Sequence, residues 1–211
     1  MKLITLGDSI TRGTFTNFGE NCPMSVASPN YSEILKTFLK ADDLECCGMN
    51  GISVSRTSTV NAEYAMSIVC EKLCNADVFL IAGGTNDWGT DVPLGKKTDE
   101  TDVSFYGGLY ALYSCVKKQN PTAKIFVVLP LRRQGEKTTK NAQGLLLDEY
   151  RAAIVNRANS FGFYVIDGRL LAIDPDDEKD REKYILDGLH PNQAGHQLYA
   201  ELLYSEIKKY L

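Results

Sequence analysis

Short apolar runs alternate along this chain with stretches in which apolar residues recur every three or four positions. Leu3 to Leu6 is the first run and ends at Gly7-Asp8-Ser9. A run of that length closed by a glycine reads as a buried strand. Further strand candidates are Leu44 to Cys47, Val78 to Ala82, Ile125 to Leu129 and Phe163 to Ile166. Between them lie helical stripes: Tyr31, Ile34, Leu35, Phe38 and Leu39 form one, and Phe105, Leu109, Leu112 and Val116 form another. The pattern also predicts helices over Asn61 to Cys74, Leu145 to Phe161 and Gln193 to Tyr210, with Pro29 and Pro191 near two of the helix starts. Strands that alternate with helices and are apolar on both faces predict a parallel sheet. Right-handed crossovers then make it a three-layer α/β/α sandwich. The polar stretches Thr11 to Ser28, Trp88 to Ser104 and Leu131 to Gln143 each follow a strand end, where open sheets of this kind bind ligands. A fourth polar stretch covers Leu171 to Leu186.

Composition narrows the class. The 211 residues are 44% apolar and 24% charged, without a linker, repeat or low-complexity segment, so a single domain over 1–211 is expected. The net charge of −4 and the lack of a basic patch argue against nucleic acid or an acidic membrane as partner. The first strand begins at Lys2, with no apolar leader before it and no run of membrane-spanning length after it. The expected location is cytoplasmic, although a secreted protein trimmed of its leader would read the same. Cys22, Cys46, Cys47, Cys70, Cys74 and Cys115 are expected to be reduced and mostly buried.

Four strand ends or helix starts carry reactive side chains: Gly7-Asp8-Ser9-Ile10, Asn50-Gly51-Ile52-Ser53, Gly84-Thr85-Asn86-Asp87 and Asp187-Gly188-Leu189-His190-Pro191. A serine hydroxyl needs a positioned base to become a nucleophile. The chain has two histidines, His190 and His196, and only His190 has an aspartate three residues before it. In a tight turn Asp187 can hold the imidazole Nδ1–H and leave Nε2 for Ser9. The backbone N–H groups of Ser9 and Gly51 and the amide of Asn86 offer three donors for an oxyanion. Each segment alone reads more readily as a cap or turn. His196 reads as a helix-surface or core residue.

Together, and in this order, the four segments resemble the SGNH hydrolases, the GDSL esterase and lipase family, over almost the whole chain. The resemblance implies a flavodoxin-like sheet of strand order 2-1-3-4-5. It gives Ser9, Asp187 and His190 catalytic roles and assigns the oxyanion hole to Ser9, Gly51 and Asn86. It requires neither metal nor cofactor. The chain departs from the family at Val54, which stands where the second motif often carries a later glycine, so Gly48 is the fallback for Gly51. The absence of Gly-x-Ser-x-Gly argues against a strained nucleophile elbow.

The expected reaction is hydrolysis of small or short-acyl esters, such as acetylated carbohydrates, through an acyl-enzyme. Alternatives are a lysophospholipase or thioesterase, or a non-catalytic flavodoxin-like binding module with Tyr31, Trp88 and Tyr106 around its ligand. Asp8, Trp88, Arg12 and Arg132, with Arg133 beside it, are the candidate substrate-binding residues, although Trp88 reads equally well as a partly buried core residue and the arginines as exposed solubilising groups. The motifs do not address oligomeric state.

Overall fold

The computed structural model describes residues 1–16, 24–58 and 62–211. Strand β1 is Lys2–Gly7, β2 Asp43–Gly48, β3 Val78–Ala82, β4 Lys124–Val128 and β5 Tyr164–Ile166. They form one sheet in the order β2-β1-β3-β4-β5, parallel at every pairing. This is the order implied by the family resemblance. A separate two-residue ribbon pairs Thr14–Phe15 with Ser25–Val26 in antiparallel fashion.

The sheet is apolar on both faces because its residues alternate between two cores. On one face Ile4, Leu6, Phe79, Ile81, Ile125 and Val127 pack against helices α5 (Phe105–Gln119) and α6 (Leu147–Phe161). On the other, Leu3, Val78, Leu80, Phe126 and Val128 pack against α2 (Tyr31–Leu39) and α8 (Gln193–Ile207). The helix starts are set by short polar side chains. Asn30 accepts the N–H groups of Ser32 and Glu33 and completes a capping box, and Asn192 accepts those of Ala194 and Gly195.

Three expectations are corrected. The helix predicted from Asn61 to Cys74 is instead broken. Its described part consists of a 3-10 turn Ala62–Tyr64, a short α3 (Met66–Val69) and a second 3-10 turn Cys70–Lys72. The N–H groups of Met66 and Ser67 donate to Ser53 and Val54 carbonyls of a neighbouring loop, which replaces helical bonding with tertiary bonding. Asn61 and Cys22 lie outside the described residues. Second, the polar stretch before Asp187 contains α7 (Glu178–Tyr184), capped by Asp177 and without a buried residue. A helix with no apolar stripe gives no periodic signal. Third, the described cysteines are free as expected, but only Cys70 is buried.

Candidate active site

Strand β1 ends inside the sheet between β2 and β3, and its last residue passes the chain to Asp8 and to the one-turn helix α1 (Ser9–Arg12). Asp8 caps that turn by accepting the Ile10 N–H at 2.9 Å. Ser9 is the first helical residue and is 8% exposed. Its Oγ lies 2.8 Å from His190 Nε2, across 181 residues of sequence.

The imidazole is held from behind. Asp187 Oδ2 lies 2.8 Å from His190 Nδ1, and Oδ1 accepts the backbone N–H groups of Leu189 at 2.9 Å and His190 at 2.8 Å. An aspartate that bonds the backbone two and three residues ahead makes a turn, and this turn aims the ring at Ser9. Thr16 Oγ1 adds a donor to Oδ2 at 2.9 Å. Burial opposes the Asp187 charge, but the bonds from the His190 ring and backbone outweigh it and hold the carboxyl well below the ordinary range. Asp187 therefore stays ionised, and an ionised carboxylate at Nδ1 can fix the tautomer that leaves Nε2 as an acceptor for a hydroxyl.

Strand β3 delivers the second group. Its end leads into α4 (Thr85–Gly89), and Asn86 Nδ2 donates to the Ile52 carbonyl at 2.9 Å, leaving one amide hydrogen for another acceptor. Asp87 grips the same loop by accepting the N–H groups of Val54 at 2.9 Å and Ser55 at 3.0 Å. The loop after β2 is thus fastened to the Asn86 turn. Gly51 has φ +70°, a left-handed conformation that favours glycine, and among the described residues its N–H and that of Ser9 donate no hydrogen bond. Gly48, the fallback, has a different reason to be glycine: a Cβ there would meet the Arg12 backbone nitrogen at 2.2 Å. Asp102, which no motif marked, braces this loop further. Its carboxylate accepts the Ser55 hydroxyl at 2.7 Å and the Arg56 N–H at 3.0 Å.

Burial pushes the Asp8 carboxyl up to about 6 and the Asp87 carboxyl up to about 7, in each case against the pull of backbone N–H donors. Both are anchors beneath the site. A cavity of about 20 Å³ adjoins it, bounded by Asp8, Thr85, Leu129, Leu131, Leu189 and Tyr199, and has room for one water.

The remaining candidates divide between the core, the surface and the rim of the site. Of the two readings of Trp88 the core one holds: it is 5% exposed, with its Nε1–H donating to the Leu145 carbonyl and the Arg133 guanidinium 4.8 Å above its ring. It offers no free face for a sugar. Tyr31 and Tyr106 are also buried, so neither ring presents a face to a ligand. Arg12 and Arg132 are exposed, whereas Arg133 is half-buried. His196 is wholly buried, its Nδ1 accepts the Tyr31 N–H at 3.3 Å, and its ring stacks on Tyr31. Burial lowers it to about 4, so it is a neutral core histidine. Among the described residues no cluster of three His, Cys, Asp or Glu side chains is placed to hold a metal. Nor is any helix among them long and apolar enough to cross a membrane.

A serine, histidine and aspartate joined in series at the carboxyl edge of a doubly wound sheet have the arrangement of a serine hydrolase. Comparison with known proteins makes the class specific. The model of the GDSL-like Lipase/Acylhydrolase family matches residues 5–198, and the chain belongs to that family of acyl hydrolases. Solved structures agree on the fold. A Lactobacillus plantarum protein is 25% identical with a TM-score of 0.84, the match covering 100% of this chain and 97% of that one. A "possible lipase" from Chitinophaga pinensis is 21% identical at TM-score 0.70, with 99% and 98% covered. The native aryl esterase of M. smegmatis is 18% identical at TM-score 0.69, with 100% and 99% covered. No curated protein matches the chain.

Proposed function

We propose that this chain is a serine esterase acting on small, short-acyl esters through an acyl-enzyme. The observation that carries the proposal is the unbroken series Ser9 Oγ to His190 Nε2 and His190 Nδ1 to Asp187 Oδ2, each contact 2.8 Å. His190 takes the Ser9 proton as the hydroxyl oxygen attacks the ester carbonyl. The carbonyl oxygen becomes an oxyanion that the Ser9 N–H, the Gly51 N–H and the remaining Asn86 amide hydrogen hold. His190 then gives its proton to the leaving alcohol. Water, deprotonated by the same ring, attacks the acyl-enzyme and releases acid and free serine. Asp187 stabilises the imidazolium formed in both halves.

Removing one oxyanion donor costs about 10²–10³ in kcat in comparable sites, so Asn86→Ala is expected in that range. The burial of Trp88 removes an aromatic face on which a sugar ring could stack, which favours a compact acyl ester. The test is turnover of p-nitrophenyl esters of increasing chain length by the wild type and Ser9→Ala. The proposal expects highest kcat/KM at two to four carbons, as an order-of-magnitude range, and loss of turnover in the variant. Wild-type rates in Ser9→Ala overturn the mechanism. A preference for long acyl chains points instead to a lysophospholipase or thioesterase.

A further inference from the structure

Arg133 stands out among the residues around the site. It lies on the segment that leaves β4, with its guanidinium over the Trp88 ring and Nη1 donating to Thr85 Oγ1 at 3.2 Å. The two nearby carboxylates are committed elsewhere. Glu136 accepts two bonds from the Arg151 guanidinium at 2.7 and 3.1 Å, and gives Arg133 only a contact to its backbone N–H. Asp187 is held by His190, Thr16 and its own turn. Among the described residues no carboxylate oxygen lies within 4.0 Å of the Arg133 guanidinium. Burial already works against its charge and lowers its affinity for the proton. A guanidinium has five donors in a fixed fork, and here one of them is used. Glu136 and Asp187 offset part of that cost through space, but with neither carboxylate in contact the guanidinium keeps a desolvation cost that an arriving anion would reduce.

Its position says where that anion would sit. Thr85, which it touches, immediately precedes Asn86. The next residue, Gln134, donates its N–H to the Gly188 carbonyl at 2.8 Å and ties this segment to the turn that carries His190. Arg133 therefore lies on a segment fastened to both turns, to the Asn86 turn through Thr85 and to the His190 turn through Gln134.

We propose that Arg133 is a specificity residue that receives a carboxylate of the substrate, so that the preferred esters carry a negative charge a few bonds from the scissile carbonyl. This rests on the esterase reading above. The planar carboxylate suits the guanidinium fork, and a half-desolvated site strengthens the pairing.

The test compares p-nitrophenyl hydrogen succinate with neutral p-nitrophenyl butyrate, esters of equal acyl length. The expected result is a wild-type kcat/KM ratio favouring the anionic ester. Arg133→Met should lower that ratio roughly tenfold to a hundredfold, mainly through KM, and Arg133→Lys should restore part of it. With no variant at all, free glutarate should inhibit the wild type competitively, whereas glutaramide should not, and added salt should weaken the inhibition. An equal loss on both esters in Arg133→Met would mean that the side chain only braces Trp88, and overturns the proposal. So does a wild type that favours the neutral ester or ignores glutarate. A wild type that turns over neither ester refutes the esterase reading and this inference with it, an outcome distinct from turnover without discrimination.

Discussion

The ion pair between Arg151 and Glu136 lies beneath the site, and the structure sets how much its loss should cost. The two side chains are 3% and 10% exposed, with Nη2 to Oε2 at 2.7 Å and Nη1 to Oε1 at 3.1 Å. Arg151 also donates to the Pro130 and Leu131 carbonyls at 3.0 and 2.7 Å, which pins the segment that runs on to Arg133 and Gln134. At 2.7 Å and an effective dielectric near 20 the gross attraction is about 6 kcal/mol. Desolvating the two ions costs several kcal/mol each, so the pair as a whole adds little net stability. Removing one partner is different, because the other then keeps its desolvation cost unopposed. Asp148, 2.9 Å from Nη1 but well exposed, compensates in part. Glu136→Gln should therefore destabilise the fold by about 2–4 kcal/mol, read from urea unfolding midpoints at constant slope. The double variant Glu136→Leu, Arg151→Met removes both charges and should recover to within about 1 kcal/mol of wild type. A single variant within about 0.5 kcal/mol of wild type, or a double variant no better than the single, refutes this reasoning.

Two further outcomes follow from the geometry. Asp187→Asn keeps the shape of the turn but can no longer fix the His190 tautomer, so kcat on an aryl acetate should fall about 10³–10⁴-fold with KM little changed; a loss under tenfold contradicts the role assigned to Asp187. His196 is held neutral by burial, its folded value of about 4 lying below the ordinary 6.5. The unfolded chain binds the proton first as pH falls, so stability present above 6.5 is lost on the way down to 4, by up to about 3 kcal/mol. His196→Gln should lose correspondingly less across that interval in urea titrations at each pH, and equal losses in both proteins would contradict the burial argument.

The fold was legible where packing imposes a period. All five strands and the helices at 31–39, 105–119, 147–161 and 193–207 face a core on at least one side, and their apolar spacing announces it. What spacing did not show was structure held by polar contacts. The helix at 178–184 buries nothing, and the segment after residue 61 is shaped by bonds to Ser53 and Val54. The site was legible for the same reason that it is compact: each of its groups sits at a strand end or helix start and carries a short motif. Thr16, Asp102 and Arg133 belong to no motif, and their parts depend on which loops the sheet brings together. Trp88 was ambiguous because adjacency to Asn86 in sequence does not say which way the ring points. In a short helix its side chain turns into the core and its N–H finds the Leu145 carbonyl.

The central claim is that Ser9 is activated by an imidazole 181 residues away. Reaction with a fluorophosphonate probe, followed by peptide mass spectrometry, tests it most directly. The account predicts stoichiometric labelling at Ser9 in the wild type and none there in His190→Ala. Labelling of Ser9 at the same rate in both proteins, or an unlabelled wild type, would contradict it.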